Sequence, residues 1–402
     1  MESPDKPTAP APASATTPAP APAPAAKQLR PNEDPEAAAG FGKGQAGKKG
    51  TPPPPGPRYP RAGAEVVTPD GTPGFGAFHG SFDSIRWDGL RGPHAHNKLW
   101  HLLHHKKWTY VGAHTPELSL ALAIFQAGYL ATAFCYVWSR KERRFLAERS
   151  LLAAPRLEVK VAEFPAYGLS ATFARGKRTA SISREVGSFL YLCKTSWDGL
   201  EIDVQLDTRW YGQALTSVCP IEGGVANATQ KTGPLPARGK VVIDGKLYAL
   251  DGATEGWGAL DYTNGLLARD TRWRWASMSG QVPHGPAVGL NLVTGFNQPR
   301  PGTHSGENAI WIDRDVIPVG AARIDCDPAQ PERPWHVSTE DGKVDLEFRP
   351  EAVRRESTDA KLVKSAYVQP IGTYHGSIKN ADGKPVSIDG LIGVAEDHSA
   401  RW

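Results

Sequence analysis

Between Trp257 and Gly280 the sequence reads WGALDYTNGLLARDTRWRWASMSG, which brings an acid (Asp261), a phenol (Tyr262), an amide (Asn264) and the indoles of Trp257, Trp273 and Trp275 close together. Two shorter clusters have the same character. Glu307 and Asn308 open an apolar run that carries Trp311, and Glu396 and His398 stand two apart near the C-terminus. A carboxyl group shielded from water by aromatic rings keeps its proton to higher pH and becomes a usable acid. Indole faces stabilise a neighbouring cation through their quadrupoles. A carboxylate beside an imidazole fixes its tautomer or passes it a proton. Asp261 or Glu307 is therefore the candidate acid, Tyr262 and Asn308 the candidate positioning groups, and Glu396 with His398 a candidate proton-handling pair. Trp273 and Trp275 form a candidate aromatic wall, with Trp257, Trp311 and Gln369 as further ligand contacts. The same tryptophans would also suit an ordinary core strand.

The elements that must position these groups read as strands. Arg272 to Ser277 alternates, which puts both indoles on one face and both guanidiniums on the other. Asn264-Gly265 reads as a turn. The most apolar stretch, Leu118 to Trp138, is long enough for a membrane helix, but Gln126 to Gly128 interrupts it and both halves alternate. Two buried strands joined by a turn are expected there. Short alternating runs continue from Leu157 onward, punctuated by Asp198-Gly199, Asp244-Gly245, Asp341-Gly342 and Asp382-Gly383. Convincing helices are few. The pattern implies an all-β chain of two antiparallel barrel-like halves. The Gly- and Pro-rich run Glu222–Gly239 is the expected boundary, giving halves at 66–225 and 226–402.

The first sixty residues hold 16 of the 36 prolines and few large apolar side chains, so a disordered Pro/Ala-rich tail is expected over 1–65. No basic-then-apolar leader opens the chain. Four cysteines without C-x-x-C spacing argue against a zinc ribbon or a thioredoxin-type motif, and reduced thiols in the cytoplasm are expected. His101 and His105 are spaced as helical metal ligands would be, but Lys106 and Lys107 follow and no third ligand is near. No metal site is expected, and the segment reads as a solvated basic run entering a strand at Trp108. A net charge of +4 is small for 402 residues, and alternation separates the arginines of RWRW from its indoles, so nucleic acid is not an expected partner. No nucleophile elbow, Walker loop or dinucleotide fingerprint is present.

The ordered series GWGALDYTNGLLARDTRWRWASMSG, VGLNLVTGF, GENAIWIDRD, RPWHVSTEDGKVDLEFRP, YVQPIGTYHGSI and GVAEDHSARW resembles domain-of-unknown-function family 2804 from about residue 70 to the C-terminus. That family is in turn similar in fold to the calycin-like double-barrel group of carotenoid hydratases, tocopherol cyclases and pericyclic cyclases. The resemblance implies two lipocalin-like halves, an apolar polyene-like substrate between them and no redox cofactor. It supplies no residue roles. The expected partner is an apolar small molecule, which the chain would hydrate, cyclise or simply carry. A scaffold recruited through the Pro-rich tail is a third reading. Peripheral membrane contact would suit a protein that handles such an apolar ligand.

Overall fold

The computed structural model describes residues 59–211, 213–250, 256–298, 306–360 and 363–401. The Pro/Ala-rich tail expected over 1–65 lies outside the described residues as far as residue 58. The described chain is all-β, two antiparallel barrel-like halves with one α-helix, Lys98–His104, and a single 3-10 turn, Gly92–His94. Among the described residues one sheet has fourteen strands and the other nine. The first sheet takes in every strand from Gly76–His79 to Trp257–Leu266, and the second begins with Asp270–Gln281 and ends with Pro385–Arg401.

Hairpin chemistry at the loops follows the sequence. Asp198 and Gly199 adopt φ of 46° and 80°, and Asp244 and Gly245 adopt 48° and 82°. Two left-handed residues in a row give the turn whose twist matches the flanking strands, which is why Asp-Gly stands there. The apolar run splits into Leu118–Ala127 and Ala131–Ser139, as its alternation implies. Leu120, Leu122, Ile124, Ala133, Cys135 and Val137 fill the first half's core. Ala121, Ala123, Tyr136 and Trp138, on the opposite face, pack against Trp275, Val293, Ile371 and Val394 of the second sheet. Both faces of these strands are dry, so both sets of positions are apolar. No helix among the described residues is long and apolar enough to cross a membrane.

Several local expectations are corrected. The run Glu222–Gly239 is no linker: most of it belongs to the strand Ala226–Ile243, and the chain passes between sheets after Leu266 instead. Its glycines and prolines sit where other elements crowd the backbone; the amide of Pro234 would lie 2.9 Å from a Cβ on Gly289. Asn264-Gly265 is not a turn but the interior of the strand Trp257–Leu266. Asn264 is fully buried, donating to the Ile85 carbonyl (2.8 Å) and accepting from the Trp87 indole (3.1 Å). Gly265 is required because a Cβ would come within 2.3 Å of Asn227 Oδ1. Lys106 and Lys107 are not solvated either. They are buried at the start of the strand His105–His114, their ammonium groups donating to the Leu103 and Val161 carbonyls. His101 lies in the helix and His105 in the strand, where His105 meets Asn264 at 2.8 Å.

Candidate functional site

A cavity of ≈ 170 Å³ lies between the two sheets. Strand register assembles it. Lys231 on Ala226–Ile243 stands opposite Asp261 on Trp257–Leu266, and Asp261 stands opposite Tyr110 on His105–His114. In the second sheet Trp275 is opposite Glu396, and His398 lies between Trp273 and Tyr367. Period-two alternation then turns Trp273 and Trp275, and Glu396 and His398, into the same space.

One end of the cavity is an ion cluster. Lys231 Nζ lies 2.7 Å from Asp261 Oδ1 and 3.5 Å from Glu307 Oε1. The Trp108 indole donates to Asp261 Oδ2 (3.3 Å), and the Asn297 amide to Glu307 Oε2 (3.1 Å). Burial by itself would lower the Lys231 pKa, but the two carboxylates hold it above the ordinary lysine value. Burial pushes the Glu307 carboxyl up, and Lys231 only partly draws it back. Glu307 is therefore the carboxyl of this cluster that burial inclines toward keeping its proton.

The second acid group sits among rings. Glu396 is 6 % exposed and accepts from the Trp273 indole (2.8 Å) and the Gln369 amide (3.1 Å). Gln369 is oriented in turn by the Tyr136 hydroxyl (2.8 Å). Burial raises the Glu396 pKa to about 7, against the pull of the Trp273, Tyr367 and Gln369 donors. His398 bonds Ser365 Oγ through Nε2 (2.9 Å), and burial lowers its pKa to about 3, so the imidazole is neutral. Tyr110 meets Trp275 edge-on at 5.5 Å, and Trp108 stacks on Trp273 at 6.2 Å. Ala123, Phe125, Phe134 and Val293 complete the apolar wall, which runs out to the exposed Leu152.

Asp261, Glu307, Glu396, His398, Trp273 and Trp275 thus converge on one cavity. The other expected residues lie elsewhere. Tyr262 points into the first half's core, its hydroxyl donating to the Ala162 carbonyl at 2.7 Å. Asn308 clips the backbone of Val293, accepting from its N–H at 2.8 Å. Trp257 packs against Tyr211, and Trp311 donates to the Gln213 carbonyl at 2.7 Å beside a small annex of the cavity. Gln369 holds Glu396 from behind rather than lining the cavity. Sequence reasoning missed Lys231, Tyr110, Trp108, Tyr367 and the buried Arg354. The signal for Lys231 was a cation set among the small and polar residues ANATQKT of its strand, hidden by the prolines that follow. Among the described residues no group of three or more His, Cys, Asp or Glu side chains could hold a metal, and the four cysteines are free.

Comparison with known proteins gives one family. The model described as "Domain of unknown function (DUF2804)" matches residues 61–402. No curated protein matches the chain. Among solved structures, kievitone hydratase from Nectria haematococca is 9% identical, covering 86% of this chain and 98% of its own, with a TM-score of 0.45. The structure of CghA with Sch210972 is 9% identical, covering 85% of this chain and 97% of its own, with a TM-score of 0.48.

Proposed function

The chain belongs to the DUF2804 family, whose description carries no activity, and from the cavity itself we propose that it binds an apolar small molecule and performs acid–base chemistry on it, a hydration or a cyclisation. The observation that supports this is the meeting of two acid groups, Glu396 and the Lys231–Asp261–Glu307 cluster, inside one aromatic-walled cavity. A carrier would need the aromatic wall alone; buried carboxyls are costly and serve no purpose in holding a hydrocarbon. An engineered cavity of about 150 Å³ takes up benzene. At ≈ 170 Å³ the space here suits a ring-sized apolar group, with any longer portion leaving past Leu152.

Protonated Glu396 gives its proton to an alkene carbon, and the indole faces of Trp273 and Trp275 stabilise the cation that forms. In a hydration, water adds to the cation and its proton passes to the Asp261 carboxylate, which Lys231 holds in place. In a cyclisation, a second alkene of the substrate closes the new bond, and the proton leaves from the adjacent carbon to Asp261. Return of that proton to Glu396 completes the cycle, so no electrons are gained or lost.

The first measurement is native mass spectrometry of protein purified gently from its own host, followed by extraction of the bound compound. A stoichiometric apolar compound is expected. Incubating it with the protein in ¹⁸O-water should label the product of a hydration, and Glu396→Gln should stop turnover while still binding. A protein that is empty in repeated preparations would sink the binding reading. A bound compound that the wild type never alters would leave a carrier.

A further inference from the structure

The cavity mouth lies at one end of the sheets, and that end carries both exposed leucines and surplus positive charge. Strand register fixes the geometry. Gln126 pairs with Ala131 and Ala131 with Ala153, so the loops 128–130 and 154–158 lie at the same edge. The helix Lys98–His104 leads into that edge, because Lys106 pairs with Ala127 and the Leu102 carbonyl packs tightly on Gly128. Arg156 lies close enough to His105 and Lys107 to lower the pKa of each, which places the 154–158 loop by the start of the strand that the helix leads into. Leu99 is 65 % exposed, Leu152 53 % and Leu157 84 %. Leu152 also lines the cavity, so the patch is continuous with the way in.

The charges around these leucines are unbalanced. Glu158 is taken by Arg175, Asp270 by Arg401 and Asp359 by Lys364. Those pairs leave the exposed Lys98, Arg156 and Lys160 beside these leucines, against the exposed Glu222 by the 266–268 turn, so cations outnumber carboxylates among the unpaired exposed groups of the described residues at this end. Leucines that enter the acyl boundary, ringed by cations that meet anionic headgroups, form the pattern of a peripheral membrane contact.

We propose that this end of the protein docks on an anionic lipid bilayer, so that an apolar ligand passes between membrane and cavity past Leu152. The docking itself needs no ligand and is measured without one; only its purpose rests on the small-molecule reading above.

The test is co-sedimentation of the full chain with vesicles of phosphatidylcholine, with and without phosphatidylserine. Binding is expected to the phosphatidylserine vesicles and to weaken with salt. Lys98→Gln, Arg156→Gln and Lys160→Gln should each lower the partition coefficient about fivefold, the effect of one cation near a charged surface. Leu99→Ser and Leu157→Ser should lower it further, including at high salt. All five side chains are exposed, so circular dichroism should show every variant folded. Failure to bind either vesicle overturns the proposal. So does binding that all five variants leave unchanged, which would place lipid contact on another surface. Neither result bears on whether a compound travels with the purified protein, so the two readings fail separately.

Discussion

The Glu396 carboxyl is surrounded by neutral donors, Trp273, Tyr367 and Gln369, each of which favours its ionised form, yet burial outweighs them and places its pKa at about 7. This has a thermodynamic signature. The folded-state pKa lies above the unfolded value of about 4.5, so the native state binds the proton more tightly and is favoured below that value. Stability contributed by this group falls as pH rises from about 4.5 to about 7, by roughly 3 kcal/mol at 1.36 kcal/mol per unit. Glu396→Gln keeps the shape without the titration, so urea denaturation should show wild type and variant diverging across that window, the variant being the more stable above it. Parallel curves would mean that Glu396 ionises normally and is no acid at neutral pH. Lys231 makes the opposite case. Lys231→Met leaves Asp261 and Glu307 buried without their cation, which should cost about 3–5 kcal/mol in the same assay. Glu307→Gln, which removes one of two competing acids, should cost much less; equal losses would refute the shared-cation account.

At the scale of elements, close approach of strands explains several residues that propensity alone does not. A Cβ on Gly393, in the strand Pro385–Arg401, would lie 2.1 Å from the Ser277 carbonyl and 2.8 Å from the Tyr374 ring. The Gly393→Ala variant must therefore push apart the strands that hold Glu396 and Trp275 in register, and a loss of about 3 kcal/mol or more is expected from overpacking. Gly383→Ala is the control. It has a left-handed φ of 78° but open space around it, so only the conformational cost of about 1 kcal/mol applies. Similar losses at both positions would show that packing at Gly393 is loose. This is also where the sequence was and was not legible. Alternation and Asp-Gly turns gave the strands, the all-β class and the pairing of Trp273 with Trp275, because those signals are local. Asn264-Gly265 has the letters of a turn, but its glycine answers to Asn227 across the sheet. Lys106 and Lys107 look solvated, but their ammonium groups find carbonyls that only the fold supplies. The same holds for the site. Glu396 and His398 share a face by period, whereas Lys231 reaches Asp261 through a pairing no single stretch reveals.

For the molecule as a whole, the two halves are joined by material that neither can leave exposed. Tyr110, Tyr136 and Trp138 of the first sheet and Trp275, Ile371 and Val394 of the second form one buried cluster. Lys231 from the first sheet meets Glu307, which precedes a strand of the second. Separating the halves would wet the aromatic cluster and strip the ion cluster of its dry surroundings together, so neither half gains from unfolding alone. A single cooperative transition follows, with far-UV circular dichroism and tryptophan fluorescence giving one midpoint. A ligand seated between the sheets binds only when both are folded, so it should raise that one midpoint by mass action rather than split it. Trp275→Ala tests the coupling directly, because Trp275 belongs to the joint cluster and also lines the cavity. Its removal should cost about 3–5 kcal/mol and lower ligand affinity in parallel, with the two probes still coincident. Two resolved transitions in that variant, or in the wild type, would show that each half folds by itself and that the cavity is a gap between independent units.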